Sequence, residues 1–62
     1  MTLGRTIRYL RLASRLSQTE LARKIKITPS YLSLVEHDKR EPSLAVLKRA
    51  SGLFNIPIGF LL

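Results

Sequence analysis

Two helix-start signals in close succession limit what this chain can fold into. Ser17 followed three residues later by Glu20 is a capping box, in which the hydroxyl accepts from one orphan backbone N–H and the carboxylate accepts from another. Leu16 and Leu21 flank the box at the positions of a hydrophobic staple, which sets the angle at which the chain enters the helix. Leu21, Ala22 and Ile25 then repeat at helical spacing, and the run is expected to stop near Lys26. Thr28 and Pro29 restart a helix, because Thr is a good N-cap and the missing N–H of Pro costs nothing at the first helical position. Leu32 and Val35, with Ile27 just before them, form one apolar edge. Ser30, Ser33, Leu34 and His37 are left to point elsewhere.

Two helices of roughly two to three turns, joined by only a few residues, cannot lie side by side antiparallel; so short a link favours the steeply crossed helix-turn-helix arrangement. The small Ala22 lets the crossing helices approach closely.

The 62 residues make one domain spanning the chain, near the lower limit at which a single core suffices without disulfides or metal. With no Cys there is neither a disulfide framework nor a thiolate metal site, and one His cannot hold a metal alone, so no cofactor is expected. Arg5, Arg8 and Arg11 interrupt any apolar run before a signal-peptide core can form. The longest apolar stretch, 56–62, is too short to span a bilayer. The expectation is a soluble, cytoplasmic protein with no membrane partner.

The net charge of +7 is unevenly placed. Up to residue 26 stand Arg5, Arg8, Arg11, Arg15, Arg23, Lys24 and Lys26 against Glu20 alone; beyond it Lys39, Arg40, Lys48 and Arg49 face Glu36, Asp38 and Glu41. Such a balance points to a polyanionic partner, with solubility as the plainer alternative.

Upstream of the capped pair, Leu3, Ile7, Leu10 and Ser14 recur along one stripe of a first helix, its core face. Arg8, Arg11 and Arg15 form a neighbouring basic stripe. An Arg-rich helix also admits a membrane-surface or targeting reading, but such a helix would not need the crossed pair that follows. For Arg5 and Arg8 a solvated face is the plainest role. Downstream, a charged loop from Asp38 closes at Pro42, and Ser43 is a good N-cap. Leu44, Leu47, Ser51 and Phe54 make one stripe of a fourth helix; Val46, Ala50 and Leu53 make a second, to be covered by the last helix or by a partner subunit. Asn55 suits a left-handed C-cap, and Pro57 can open a final short helix through Leu62. The expected fold is all-α, a compact five-helix unit without repeats. Its apolar end, Phe60-Leu61-Leu62, reads as a helix packed back on the core, a dimer surface, or a boundary with a further domain or protein partner.

The residues Ser17-Gln18, Leu21-Ala22, Ile25-x-Ile27-Thr28, Tyr31-Leu32-Ser33, Val35-Glu36 and Arg40-Glu41-Pro42-Ser43 together resemble the phage-repressor (Cro/Xre-type) helix-turn-helix family, with its lambda-repressor-like DNA-binding domain. The resemblance extends upstream through Ile7-Arg8-x-Leu10-Arg11 and downstream from Leu47 to Pro57, covering nearly the whole chain. Two departures stand out, since the family usually has Gly at the Lys26 position and often at the Asp38 position. A left-handed residue is expected at Lys26, where a side chain costs roughly 1 kcal/mol; Asp tolerates that region better than most residues. The resemblance also implies a partly buried, structural ion pair between Arg11 and Glu36.

In this motif the second helix of the pair lies in the major groove with its N-terminal residues toward base edges. By position that nominates Thr28, Pro29, Ser30, Ser33 and Leu34 for base contact, with Tyr31 at the margin. None is the Arg, Asn or Gln of a strong bidentate contact, so thymine methyls, hydroxyl bonds and water are expected to carry much of the readout. For the DNA backbone, Gln18 looks like the family's phosphate clamp, aided by backbone N–H groups at that helix end. Tyr31, His37, Lys39 and Arg40 are the further candidates, with shielding of the helix corner as the alternative role of Tyr31 and no role as that of His37. Lys26 is expected to face solvent. Glu20 and Glu36 have structural duties and no nucleophile, base or metal-ligand spacing beside them, so an enzyme is not expected.

The function implied is sequence-specific double-stranded DNA binding by a bacterial or phage transcriptional regulator, a repressor by resemblance; the residues leave open whether occupancy of the operator blocks or recruits polymerase. One such unit buries too little DNA surface for nanomolar affinity, which implies a homodimer on half-sites about 34 Å apart or a multiple of that. Val46, Leu53, Ile58, Phe60, Leu61 and Leu62 are the expected contacts between subunits. A rival reading is a protein-interaction module, antitoxin-like, whose apolar C-terminal surface binds another protein while DNA contact is secondary. A second rival is a charge-driven binder whose affinity falls with salt for every sequence alike.

Overall fold

The computed structural model of the chain describes residues 2–62. Four α-helices follow one another: α1 (Leu3–Ala13), α2 (Gln18–Lys24), α3 (Pro29–Glu36) and α4 (Leu44–Phe54), then a single 3-10 turn, Ile58–Phe60. Each α-helix starts on a side-chain cap. The Thr2, Ser17, Thr28 and Ser43 hydroxyls accept from the backbone N–H groups of Arg5, Glu20, Tyr31 and Val46. The capping box at α2 is complete, the Ser17 N–H donating to the Glu20 carboxylate at 2.8 Å.

The four helices also end alike. Arg15, Lys26, Asp38 and Asn55 take left-handed φ values of 59°, 61°, 62° and 56°. The next residue in each case donates its N–H five positions back, Leu16 to Arg11, Ile27 to Ala22, Lys39 to Leu34 and Ile56 to Ser51, at 2.8–3.1 Å. These are Schellman closures, which satisfy carbonyls that the helix end leaves open.

The expected fifth helix is instead the 3-10 turn, with Leu61 N–H donating to the Ile58 carbonyl at 2.9 Å. Gly59 is a poor helix former, and the turn drives Leu61 into the core, where it is 2% exposed.

Ile7, Leu21, Ala22, Ile25, Leu32, Val35, Val46, Leu47, Ala50 and Leu61 form that core. On α1 the buried face is Gly4, Ile7 and Arg11, with Leu3 and Leu10 half-buried. Ser14 is exposed, contrary to its place in the expected stripe, because α1 stops at Ala13. On α4 the burial runs along the seam between the two expected stripes, leaving Leu44 and Leu53 exposed. Gly4 marks the closest approach of α1 to the end of α3, since a Cβ there would run into the Val35 carbonyl and the Asp38 carboxylate. No helix among the described residues is long and apolar enough to cross a membrane.

Candidate nucleic-acid interface

At about 100° per residue, α3 divides into two arcs. Leu32, Val35 and Glu36 are buried and Tyr31 is half-buried. Pro29, Ser30, Leu34 and His37 are exposed and Ser33 is half-buried; they share the opposite arc, roughly 140° wide. Thr28 sits at the head of this arc, exposed, its oxygen committed to the Tyr31 N–H while its hydroxyl proton stays free to be donated. Of the nominated base-contact residues, Pro29, Ser30, Ser33 and Leu34 therefore stand together on one free face, with Thr28 capping the helix ahead of them.

What holds that face in place is the carboxylate of Glu36, at the end of α3. Arg11 of α1 grips it side on, Nε donating to Oε2 at 2.7 Å and Nη2 to Oε1 at 3.1 Å. The Arg11 Nη1 donates at 2.9 Å to the Leu16 carbonyl in the loop between α1 and α2. Gln18 of α2 adds a third donor, Nε2 to Oε1 at 3.0 Å. One buried anion thus ties three helices, and among the described residues no buried side-chain nitrogen or oxygen lacks a partner.

This network qualifies the expected role of Gln18, whose carboxamide is half-buried and turned inward. A carboxamide nitrogen carries two hydrogens, so one remains for a phosphate while Glu36 fixes the other. The N–H groups of Ser17 and Glu20 are spent inside the capping box. The Ser17 N–H also draws the Glu20 carboxyl below its ordinary value, helped by the Ser17 hydroxyl.

The Tyr31 hydroxyl donates to the Glu41 carbonyl at 3.0 Å, and the Arg40 guanidinium lies over its ring, 5.7 Å from the centroid. Through that bond Tyr31 ties α3 to the following loop. His37 sets Nδ1 2.8 Å from the Ser33 carbonyl, where the ring nitrogen must donate, leaving Nε2 at the surface. Lys39 and Arg40 are exposed in the loop beyond, and Lys26 is exposed in the turn.

Two ties escape any sequence reading. Arg49 of α4 donates from Nε to the Ile25 carbonyl at 2.9 Å, closing the end of α2, where a cation suits the open carbonyls. The Thr2 hydroxyl donates to Asp38 at 3.0 Å. Among the described residues no cluster of His, Cys, Asp or Glu could hold a metal ion.

A helix-turn-helix family model matches residues 7–61. The chain belongs to this family. The immunity repressor protein of Bacillus phage phi105 is 36% identical over 58 residues, which are 94% of this chain and 40% of that protein. The HTH-type transcriptional regulator RamB of Mycobacterium tuberculosis is 40% identical over 57 residues, 92% of this chain and 12% of the relative. The chain thus spans less than half the length of either. The P22 c2 repressor in complex with a synthetic operator superposes with a TM-score of 0.93 at 22% identity, covering 100% of this chain and 94% of that one, a likeness of fold. SinR, the master regulator for biofilm formation, in complex with DNA gives 0.87 at 30% identity, covering 97% of each chain. The helix-turn-helix family is one of DNA-binding regulators, not of enzymes. The phage-repressor resemblance carried by the motif residues is thereby established, as is the compact, all-helical, repressor-like fold.

Proposed function

We propose that this chain is the operator-reading part of a transcriptional repressor, binding double-stranded DNA sequence-specifically with the outward arc of α3 in the major groove. The observation that carries the proposal is that arc itself: Pro29, Ser30, Ser33 and Leu34 have no place in the core, while Leu32, Val35 and Glu36 on the same helix are locked into it. A helix so held can present a fixed surface to base edges. Thr28 joins them at the N-cap. The second amide hydrogen of Gln18, with His37, Lys39 and Arg40, supplies contacts to the flanking phosphates, and the net charge of +7 favours them. Occupancy of the operator then regulates transcription, in the cytoplasm.

The acting species is a homodimer. Leu53, Phe60 and Leu62 expose 38%, 63% and 81% of their surface beside the half-buried Ile58. Val46 and Leu61 drop out of the expected interface, because at 5% and 2% exposure they are already spent in the chain's own core. The same exposed Phe60 and Leu62 favour a second reading, a protein-interaction module. Under it Phe60→Asp abolishes binding of the partner, whereas under the first it only weakens DNA affinity.

Selection of bound duplexes from a random pool, at about physiological salt where nonspecific binding is weak, tests the proposal. An enriched inverted repeat supports it. No enrichment by a folded protein contradicts it.

A further inference from the structure

The outward arc of α3 carries no Arg, Lys, Asn, Gln, Asp or Glu. Its hydroxyls, on Ser30 and Ser33, can bond to several bases without choosing sharply among them. The His37 ring is folded back to the Ser33 carbonyl. What stands out from this small, polar surface is Leu34, 38% exposed, with the Pro29 ring at the edge of the arc. An isobutyl group kept in water gains by finding apolar surface. On the major-groove edges of DNA that surface is the methyl group on C5 of a pyrimidine.

Taking the DNA-binding reading as its premise, we infer that Leu34 is the specificity-determining residue of this chain and that it recognises the C5-methyl group of a pyrimidine in each half-site. Thymine carries that methyl, and so does 5-methylcytosine. Binding therefore follows the methyl group rather than the base pair, and cytosine methylation at the facing position strengthens it. The hydroxyls of Ser30 and Ser33 and bridging water complete the contact. The leucine needs no charge partner and no rearrangement of α3, which the Glu36 network already holds.

The test uses the duplex selected above. Each thymine is replaced in turn by uracil, which keeps every hydrogen-bonding group and removes only the methyl. At the facing position, cytosine and 5-methylcytosine are also compared, each paired with guanine. For the unaltered chain, removing the facing methyl should weaken binding roughly fourfold per half-site, or roughly fifteenfold when both halves of a repeat lose it. The 5-methylcytosine duplex should bind more tightly than the cytosine duplex by a similar factor. In Leu34→Ala both differences should vanish while the melting temperature stays close to that of the unaltered chain, since the side chain lies outside the core. Indifference to uracil at every position overturns the inference, as does a methyl effect that survives in Leu34→Ala or equal affinity for cytosine and 5-methylcytosine. A selection that yields no bound duplex would instead strike the DNA-binding reading itself.

Discussion

The guanidinium of Arg11 and the carboxylate of Glu36 meet at 2.7 Å, out of water, across most of the helix-turn-helix sequence. Removing one partner leaves the other as an uncompensated buried charge, which costs about 3–5 kcal/mol. Arg11→Met should lose that much in urea unfolding followed by circular dichroism. The double variant Arg11→Met, Glu36→Leu should recover more than half of the loss, because a well-packed apolar pair avoids the desolvation that the ion pair carries. A double variant no more stable than the single one would show that the fold depends on the charges themselves.

Gly4 and Gly52 should respond in opposite directions to alanine. A methyl group at Gly4 meets the Val35 carbonyl and the Asp38 carboxylate, and backbone cannot move aside cheaply. Forcing α1 away should cost about 1–3 kcal/mol. At Gly52, inside α4, a Cβ meets nothing within 4 Å, so Gly52→Ala should stabilise by about 0.5–1 kcal/mol through helix propensity. Thermal melting of the two variants checks both signs.

Lys26 holds a φ of 61° in the turn between α2 and α3, with its side chain exposed. Glycine adopts that conformation without the Cβ penalty, against a larger entropy loss on folding, so Lys26→Gly should gain about 0.5–1 kcal/mol. Asp38→Gly, at a φ of 62°, should gain less, because it also removes the acceptor of the Thr2 hydroxyl. Chemical denaturation of the pair ranks them.

Glu20 links the start of α2 to pH. Its carboxyl is held below the ordinary value of 4.5, chiefly by the Ser17 backbone N–H. A carboxyl whose pKa is lower in the folded chain contributes stability that is complete above 4.5 and is lost as the pH falls through the lowered value. The melting temperature of the unaltered chain should therefore drop more steeply on acidification than that of Glu20→Gln, which keeps a capping side chain without the charge. Parallel curves would show that the cap does not titrate.

Local rules made much of this molecule legible. The capping box, the Thr28-Pro29 restart and the left-handed Asn55 all depend on residues a turn apart, whose chemistry acts at short range, whereas the left-handed Lys26 and Asp38 were legible only through the family resemblance, which places Gly at those positions. Arg15 escaped because its place in the basic stripe suggested a continuing helix, whereas α1 closes at Ala13 and Arg15 supplies the left-handed residue. The site was legible as a set of positions on α3, since helical spacing alone separates Leu32 and Val35 from Ser30, Ser33 and Leu34. Its supports were not. Gly4 against Val35, Gln18 on Glu36, Tyr31 on Glu41 and Arg49 on Ile25 are meetings of residues brought together by packing, and neither periodicity nor propensity encodes them. The division of the last residues also required the packed chain, because Phe60, Leu61 and Leu62 are equally apolar while only Leu61 turns inward.

The most direct test of the central claim, that α3 is the face that meets DNA, is titration of the 15N-labelled chain with the selected duplex, followed by amide chemical shifts. The largest changes should fall at Gln18 and Thr28, across residues 30–34 and in residues 37–40, with α1 little affected. Changes concentrated on the exposed side of α1, at Arg5, Arg8, Tyr9 and Leu12, with α3 undisturbed, would contradict it.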